Sequence, residues 1–299
     1  MKTPSYLQKG DCVAIISTAR KISLDEIKPA VELLESWGLN VVIGKTIDAE
    51  MHQFAGSLET RLEDFQTVLD DSTIQAIWCA RGGYGTVQLI DLLDFTKFQQ
   101  HPKWIIGYSD ITVLHSHIHN FGIETLHATM PINIPTNSLA AKESLKNALF
   151  GNQLYYEFSS HQMNIFGNVN GKLVGGNLSV LYSLLGSISS IETSKKILFI
   201  EDLDEYLYHI DRMMQNLKRN GYFEHLAGII VGGFTQMRDN EIKFGKTAEE
   251  IILEMVKPLN IPVVFNTPFG HLDDNRTLIL GRNIQLISEE KSVKITFDN

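Results

Sequence analysis

Residues 104–112, with the sequence WIIGYSDIT, place a serine where it could act as a nucleophile. The three apolar residues predict the end of a buried strand, and the run that begins at Ile111 predicts a helix. A serine at the apex of a strand–turn–helix unit is typical of a nucleophile elbow, which holds the hydroxyl clear of its own backbone. The same turn leaves the Asp110 N–H at a helix N-terminus, where it could stabilise an oxyanion.

Two interpretations of Ser109 stay open at this point. The usual elbow pattern is G-x-S-x-G, and Ile111 occupies the position of its second glycine. Ser109 could instead cap the helix, with Asp110 favouring the positive end of the helix dipole. The nucleophile interpretation therefore needs an acid and a base elsewhere in the chain.

A glutamate and a histidine stand at the ends of later predicted strands. Glu201 directly follows the strand-like run 196–200, and His271 follows Gly270 in the turn after another strand. A serine hydroxyl needs a base to take its proton, and a carboxylate orients that base and stabilises its charged form. The order serine, acid, histidine is one of the known orders of a hydrolytic triad. The sequence therefore predicts Ser109, Glu201 and His271 as nucleophile, acid and base.

A glycine-rich turn follows another predicted strand, at residues 81–85 (RGGYG). The N–H groups of Gly82 and Gly83 could complete an oxyanion hole or cradle a phosphate. No lysine follows as in G-x-x-x-x-G-K-[ST], which argues against a nucleotide phosphate site. Arg81 could bind a substrate carboxylate or hold the loop through backbone carbonyls, and both alternatives stay open.

Three other groups of residues could carry chemistry. His115 and His119 would share a helix face, but no glutamate follows His115 as in H-E-x-x-H, so a solvated helix end is expected rather than a metal site. Cys79 lies inside a predicted strand, which favours a buried thiol over a nucleophile. The acidic run 201–205 could bind a hard cation. We expect a solvated loop there, with Glu201 alone committed to the triad.

Composition and charge narrow the class of protein. The chain has 299 residues, of which 43% are hydrophobic and 20% charged, as in ordinary globular proteins. Its formal net charge of −9 argues against a nucleic-acid partner. No apolar run reaches the roughly 18 residues of a membrane span, and the N-terminus lacks a signal-peptide core. The two cysteines, both in apolar runs, favour a reducing compartment, so a cytoplasmic protein is expected.

Strand-like and helical runs alternate along the first part of the chain. Residues 13–16, 25–37 and 40–43 form a strand–helix–strand unit, which indicates a parallel sheet with ligands at the carboxyl ends of its strands. From Leu278 the tail predicts two short strands. The predicted fold is α/β, with three regions: an N-terminal three-layer, Rossmann-like parallel-sheet domain (1–135), a connection (136–165) and a smaller mixed β/α domain (166–299).

Six segments in this order resemble the serine LD-carboxypeptidases, also called muramoyltetrapeptide carboxypeptidases. The segments are residues 54–57 (FAGS), 80–85 (ARGGYG), 107–112 (GYSDIT), 175–179 (GGNLS), 199–202 (FIED) and 268–271 (PFGH). Together they cover nearly the whole chain. One departure is LHAT at residues 126–129, where that family commonly has glycine and proline after the histidine.

The resemblance implies a two-domain serine hydrolase that uses no cofactor and forms a homodimer. It implies the triad roles given above and an oxyanion hole made by the Asp110 N–H with an N–H of Gly82 or Gly83. It also implies hydrolysis of the L,D-peptide bond that releases terminal D-alanine from murein tetrapeptides in the cytoplasm, a step of peptidoglycan recycling. Arg81, Tyr84 and Asn177 are the candidates for substrate contacts.

Two alternative functions stay open. The microcin self-immunity proteins resemble this family and hydrolyse peptidyl or aminoacyl nucleotides, and an aromatic residue in a nucleotide pocket would favour that activity. A catalytically silent protein could instead bind a murein peptide. The presence of all three triad residues argues against a silent protein.

Overall fold

The computed structural model describes residues 1–298 of the chain. Strands and helices alternate over the first 150 residues. In chain order they are β1 (Cys12–Ile16), α1 (Leu24–Ser36), β2 (Asn40–Ile43), α2 (Leu58–Asp70), β3 (Ile74–Cys79), α3 (Thr96–Gln100), β4 (Trp104–Gly107), α4 (Thr112–His119), β5 (Thr125–His127) and α5 (Leu139–Leu149).

The second half of the chain is richer in strands. Its elements are β6 (Tyr155–Ser159), β7 (Gly167–Asn177), α6 (Leu178–Ser183), β8 (Lys196–Leu203), α7 (Leu207–Arg219), β9 (Gly228–Thr235), α8 (Ala248–Val256), β10 (Val263–Val264), β11 (Leu278–Leu280), β12 (Asn283–Ser288) and β13 (Ser292–Phe297). Within residues 1–298, no helix has both the length and the apolar character needed to cross a bilayer.

The first sheet has the strand order β2-β1-β3-β4-β5-β11. Its strands β1 to β5 pair in parallel, and β11 pairs antiparallel to β5. Val13 and Ile15 of β1 face a core shared with α1, whereas Ala14 and Ile16 face a core shared with α2. Because helices cover both faces, this half is the predicted three-layer α/β unit, with β11 as the exception to a parallel sheet.

The second sheet has the strand order β10-β9-β8-β7-β12-β13-β6. Its strands β7 to β10 pair in parallel, and β12, β13 and β6 are antiparallel, so the predicted mixed β/α character is confirmed. Helices α6, α7 and α8 share a core with one face of this sheet. On the other face, Leu173, Phe199 and Ile230 belong to the same core as Val13 and Ile15 of the first sheet. The two halves are therefore joined by one continuous apolar core.

Two strands pair with a sheet that lies outside the predicted region to which they belong. The boundaries of the three regions remain predictions. Strand β6 lies within the predicted connection (136–165), yet it pairs with β13 at the edge of the second sheet. Strand β11 lies within the predicted second domain (166–299), yet it pairs with β5 of the first sheet. The sequence of β11 is Leu-Ile-Leu, which is buried on both faces and therefore carries no alternation that could indicate its partner.

The segment between β10 and β12 is held by the N-terminal half. The Ser138 N–H and Asn137 Nδ2 both donate to Asp273 O at 2.9 Å, and Ser138 Oγ donates to Asp274 Oδ1 at 2.6 Å. Strand β11 follows, and β12 then returns to the second sheet. The residues just after His271 are thus fixed against the half of the molecule that contains Ser109.

Candidate active site

Ser109 lies in the turn between β4 and α4 and has a φ of +61°. That left-handed conformation costs a residue with a side chain on the order of 1 kcal/mol or more, and strain of this kind is typical of a nucleophile elbow. The Ile111 N–H donates to Tyr108 O at 3.2 Å and closes the turn, and α4 begins one residue later. Within residues 1–298 the Ser109 hydroxyl caps no helical N–H, so the geometry favours the elbow over the capping interpretation.

Glu201 and His271 form a buried pair beside this turn. The His271 Nδ1–H donates to Glu201 Oε2 at 2.5 Å, and the His271 backbone N–H donates to the same oxygen at 3.2 Å. Their side chains are 0% and 13% exposed for Glu201 and His271, respectively. The Tyr108 ring packs edge-on against the imidazole with centroids 4.8 Å apart. Because Nδ1 is occupied, Nε2 is the nitrogen that can accept a proton from a nucleophile.

The charge state of His271 is set by two opposing effects. Burial is the largest contribution and disfavours the imidazolium, but the attraction and the hydrogen bond of Glu201 together outweigh it. The pKa of His271 is therefore raised above its ordinary value. The imidazole can hold a proton transiently at a moderate energetic cost, as a general base must.

Ser109 and His271 line one cavity of about 470 Å³, together with Gly83, Tyr84 and Asn177. Within the described residues no hydrogen bond joins the Ser109 hydroxyl to His271. Such bonds are often long in proteins without substrate and shorten in the complex. The structure thus brings nucleophile and base to one solvent-accessible space and places the acid behind the base.

The glycine turn packs directly against the serine. A Cβ atom at Gly82 would lie 3.0 Å from Ser109 Cβ and 3.1 Å from Ser109 Oγ, so a glycine is needed for this close approach. The N–H groups of Gly82, Gly83 and Asp110 find no hydrogen-bond partner within residues 1–298. Asp110 Oδ2 accepts from the Thr86 N–H at 2.9 Å and ties the elbow to this turn. Free N–H groups on both sides of the serine are the arrangement that an oxyanion hole requires.

Asp202, next to Glu201 in β8, faces the opposite way. Its Oδ1 accepts from Asn177 Nδ2 and its Oδ2 from the Ser179 N–H, both at 2.9 Å. This opposition follows from the alternation of side chains along a strand. Burial, and next the negative charge of Glu201, raise the pKa of Asp202 to about 7. The expectation of a solvated loop at Asp202 is wrong, because β8 continues past Glu201 to Leu203.

Asn177 connects the two halves at the cavity. Its backbone N–H donates to Thr112 Oγ1 of α4 at 3.0 Å, and its side-chain oxygen accepts from the Val180 N–H at 3.1 Å. Its side-chain nitrogen is oriented by Asp202. The amide of this candidate substrate contact is therefore held in one orientation at the cavity wall.

The last two carboxylates of the acidic run, Asp204 and Glu205, contact nitrogen atoms of other side chains. The Asp204 carboxylate pairs with the Arg238 guanidinium in a two-pronged contact. Glu205 Oε2 lies 2.5 Å from Nδ1 of His209, one turn along α7. Both carboxylates are already engaged by nitrogen atoms of neighbouring side chains, so this geometry does not favour a hard-cation site.

Arg81 and Tyr84 lie on different sides of the glycine turn. Arg81 Nη1 donates to Lys21 O at 3.4 Å and lies 3.9 Å from Glu26 Oε1. These contacts agree with the loop-holding alternative for Arg81. Tyr84 is 52% exposed and lines the cavity, where it stands as a candidate for substrate contact.

In α4, His115 is buried and His119 is partly buried, which corrects the expectation of a solvated helix end. His115 is 2% exposed, and its Nε2 contacts Gly107 O at 2.9 Å. His119 Nε2 lies 3.1 Å from Lys196 Nζ, so the two imidazoles have different partners. In the described part of the chain, no group of three or more His, Cys, Asp or Glu side chains could hold a metal ion. The helix is buried because it packs against β7 of the second half as well as its own sheet.

Cys79 lies at the end of β3 with its side chain in the core. Burial raises the pKa of its thiol, and the nearby negative charge of Asp110 adds to this effect. A thiol that stays protonated in an apolar environment is a poor nucleophile. The environment of Cys79 therefore agrees with the buried-thiol interpretation.

The fold and the matched domains define an α/β peptidase built from two halves. The N-terminal domain of LD-carboxypeptidases matches residues 13–128, and the C-terminal domain of the same family matches residues 170–286. These two matches cover most of the chain, with Ser109 in the first and Glu201 and His271 in the second. The chain belongs to the LD-carboxypeptidase family.

Relatives of known name extend over nearly the whole chain. The probable murein peptide carboxypeptidase of Bacillus subtilis is 34% identical over 298 residues, which is 98% of this chain and 93% of that protein. The murein tetrapeptide carboxypeptidase of Pseudomonas aeruginosa is 31% identical over 287 residues, 92% of each chain.

Two solved structures have the same fold. The crystal structure of muramoyltetrapeptide carboxypeptidase from Oxalobacter formigenes superposes with a TM-score of 0.87 at 25% identity, over 96% of this chain and 99% of that one. A structure of the microcin C7 self-immunity protein MccF superposes with a TM-score of 0.86 at 24% identity, over 98% and 97% of the two chains. The similarity to the MccF structure concerns the fold alone.

Proposed function

We propose that this protein is a serine LD-carboxypeptidase that hydrolyses the L,D-peptide bond before the terminal D-alanine of murein tetrapeptides. The observation that carries the proposal is the His271–Glu201 contact of 2.5 Å beside the strained turn of Ser109. The names of the Bacillus and Pseudomonas relatives support a murein peptide as the substrate.

In the proposed mechanism, Ser109 Oγ attacks the scissile carbonyl while His271 Nε2 takes its proton. The negative charge on the carbonyl oxygen is stabilised by the Asp110 N–H and an N–H of Gly82 or Gly83. The imidazolium, stabilised by Glu201, then gives its proton to the nitrogen of D-alanine, and that C–N bond breaks. A water molecule next gives a proton to His271 and attacks the acyl-enzyme, which releases the shortened peptide and restores the Ser109 hydroxyl.

The proposal also covers location and assembly. We infer a cytoplasmic homodimer that acts on small peptides, because tetrapeptides that reach the cytoplasm are the substrates that the family resemblance implies. The proposed reaction needs no cofactor, and neither a nucleic acid nor a membrane takes part in it. Light scattering of the purified full-length chain tests the assembly, and a monomer at micromolar concentration contradicts the dimer.

Product analysis with matched muropeptides tests the activity. We expect release of D-alanine from a tetrapeptide with an L,D-linked end and no cleavage of a pentapeptide that ends in D-Ala-D-Ala. Activity should persist in EDTA, because Ser109, His271 and the proposed oxyanion hole supply every step. Efficient D,D cleavage without L,D cleavage contradicts the proposal, as does a loss of activity in EDTA that zinc restores.

The same assay also tests the alternative activity, the hydrolysis of acyl nucleotides. The similarity to MccF at 24% identity supports a shared fold and does not indicate a shared substrate. We expect an aminoacyl sulfamoyl nucleoside to be hydrolysed far more slowly than the tetrapeptide. The reverse preference would assign the chain to the acyl-nucleotide hydrolases.

A further inference from the structure

The charged wall of the catalytic cavity is acidic. Asp110, Asp202, Asp204 and Glu205 line it, and among residues 1–298 no lysine or arginine does so. A carboxypeptidase substrate ends in a free carboxylate, and this side of the cavity offers it no free cation, because the Arg238 guanidinium is already paired with Asp204. The terminal carboxylate should therefore lie away from the Asp202–Glu205 side of the cavity, near the glycine turn.

Arg20 approaches that turn from the segment after β1. Its backbone is held in place, because Ser17 Oγ donates to Arg20 O at 2.6 Å and Arg20 pairs with Phe54 in a short bridge. Its side chain crosses Gly83: a Cβ atom at position 83 would lie 2.5 Å from Arg20 Cδ and 2.7 Å from Arg20 Cγ. Gly83 itself lines the cavity, so Arg20 packs against a residue of the cavity wall.

The guanidinium of Arg20 has no partner in the described part of the chain. No carboxylate within residues 1–298 lies at ion-pair distance from it, and the side chain is exposed. Arg81, the arginine that the sequence suggested for a carboxylate, is instead engaged by Lys21 O and Glu26. Arg20 is thus an unengaged cation next to Gly83, a residue of the cavity wall.

The distance from Gly82 to Gly83 matches the length of the C-terminal residue that the substrate would release. Gly82 contacts Ser109, and Gly83 is the next residue, about 3.8 Å further along the backbone. The terminal carboxylate of a substrate lies one residue beyond the scissile carbonyl, which is also roughly 4 Å. With the carbonyl over Ser109 and Gly82, the carboxylate would reach Gly83 and the side chain that crosses it.

We propose that Arg20 binds the terminal carboxylate of the residue that is released and so restricts this protein to removing a single C-terminal residue. The proposal rests on the proposed carboxypeptidase function and adds the group that recognises the chain end. Arginine suits this task, because its planar fork can donate two parallel hydrogen bonds to one carboxylate.

Two tetrapeptides that differ only at the C-terminus test the proposal, one ending in D-alanine and one in D-alaninamide. We expect the wild-type protein to prefer the acid. Arg20→Ala should lower kcat/KM for the acid by about 10- to 100-fold, the size expected for a charge-assisted pair, and leave kcat/KM for the amide unchanged. Arg20→Lys should retain part of the preference. Lys21→Ala is the matched control, because Lys21 pairs with Glu50, and its preference should equal that of the wild type.

The rate of labelling by a fluorophosphonate without a carboxylate separates the two proposals. Arg20→Ala should be labelled at the wild-type rate, which shows that the variant is folded and that Ser109 is reactive. If the wild type releases D-alanine but Arg20→Ala keeps the acid preference, or loses both substrates equally, Arg20 is wrongly assigned and the function stands. If Arg81→Ala abolishes the preference instead, Arg81 is the anchor. If the wild type releases no D-alanine, the proposed carboxypeptidase function is wrong, and so is the role proposed for Arg20.

Discussion

Ser109 and His271 are predicted to act on one proton, which makes their substitutions non-additive. Ser109→Ala removes the nucleophile and His271→Ala removes its base, and each should lower kcat by at least ~10³-fold. The double variant should be scarcely worse than either single one, because both lose the same step. Steady-state release of D-alanine measures this, with thermal unfolding as the check on folding. A double loss equal to the product of the single losses would mean that the residues act independently.

The two neighbouring carboxylates of β8 should be distinguishable by their effects. Glu201→Gln keeps the shape but removes the charge that stabilises the imidazolium, and we expect a loss of ~10²- to 10⁴-fold in kcat. Asp202→Asn should cost far less, because Asp202 contacts Asn177 and Ser179 rather than His271. If only the Asp202 change abolishes activity, the acid is misassigned. If neither change matters while Ser109→Ala does, the site is a serine–histidine dyad.

The pairing of His271 with Glu201 predicts how kcat/KM depends on pH. A base must be neutral to act, so kcat/KM falls as the pH drops through the pKa of His271. Glu201 helps to raise that pKa, so Glu201→Gln should move the acid limb of the profile to lower pH. Profiles of kcat/KM for the wild type and the variant measure the shift. An unchanged midpoint would show that Glu201 does not set the charge state of the base.

At the scale of elements, α5 supports the loop that contains His271. Ser138 caps this helix by accepting from the Ala141 N–H at 3.0 Å and also holds Asp274. Ser138→Ala should cost about 1 kcal/mol of stability through the lost cap, and kcat should fall several-fold because the loop is less restrained. Thr247→Ala, which removes the cap of α8, is the matched control. It should cost similar stability in urea unfolding and leave kcat unchanged, and equal effects on kcat would contradict the link.

At the scale of the whole molecule, the packing of α4 against the first sheet buries His115 beside Gly107 and His127. Burial is the main effect on His115 and lowers its pKa from 6.5 to about 4. Between these values the unfolded chain binds a proton that the folded protein does not, so stability falls as the pH drops from about 6.5 to about 4. The full loss from this one residue is about 3 kcal/mol.

His115→Gln should remove this dependence, because glutamine does not titrate and can still donate to Gly107 O. Urea unfolding at pH 7, 5 and 4 measures it, and the variant should lose about 3 kcal/mol less than the wild type over this range. Asp202 has a raised pKa and acts in the opposite direction, but it is present in both proteins and cancels in the comparison. Parallel stability curves would contradict the prediction.

Local order along the chain was readable from the sequence because its causes are local. Ser23 and Glu26 form a capping box that starts α1, and the bounds of this helix lie within one residue of the helical run predicted at 25–37. The candidate catalytic residues were readable for a related reason. Ser109, Glu201 and His271 each follow or end a strand-like run, and strand ends are where an α/β sheet places ligands.

What only the tertiary structure decided depends on contacts between residues far apart in the chain. His115 looked exposed, because a helix pattern does not show that this side chain will pack against Gly107 of β4 and His127 of β5. The partner of β11 was not readable from three apolar residues, although its pairing with β5 fixes the segment that contains His271. Arg20 and Arg81 have the same side chain, but Arg20 packs against Gly83 of the cavity wall, whereas Arg81 lies near Glu26. Local pattern reports what a segment can form, whereas packing between distant segments determines which faces, charges and hydroxyls meet.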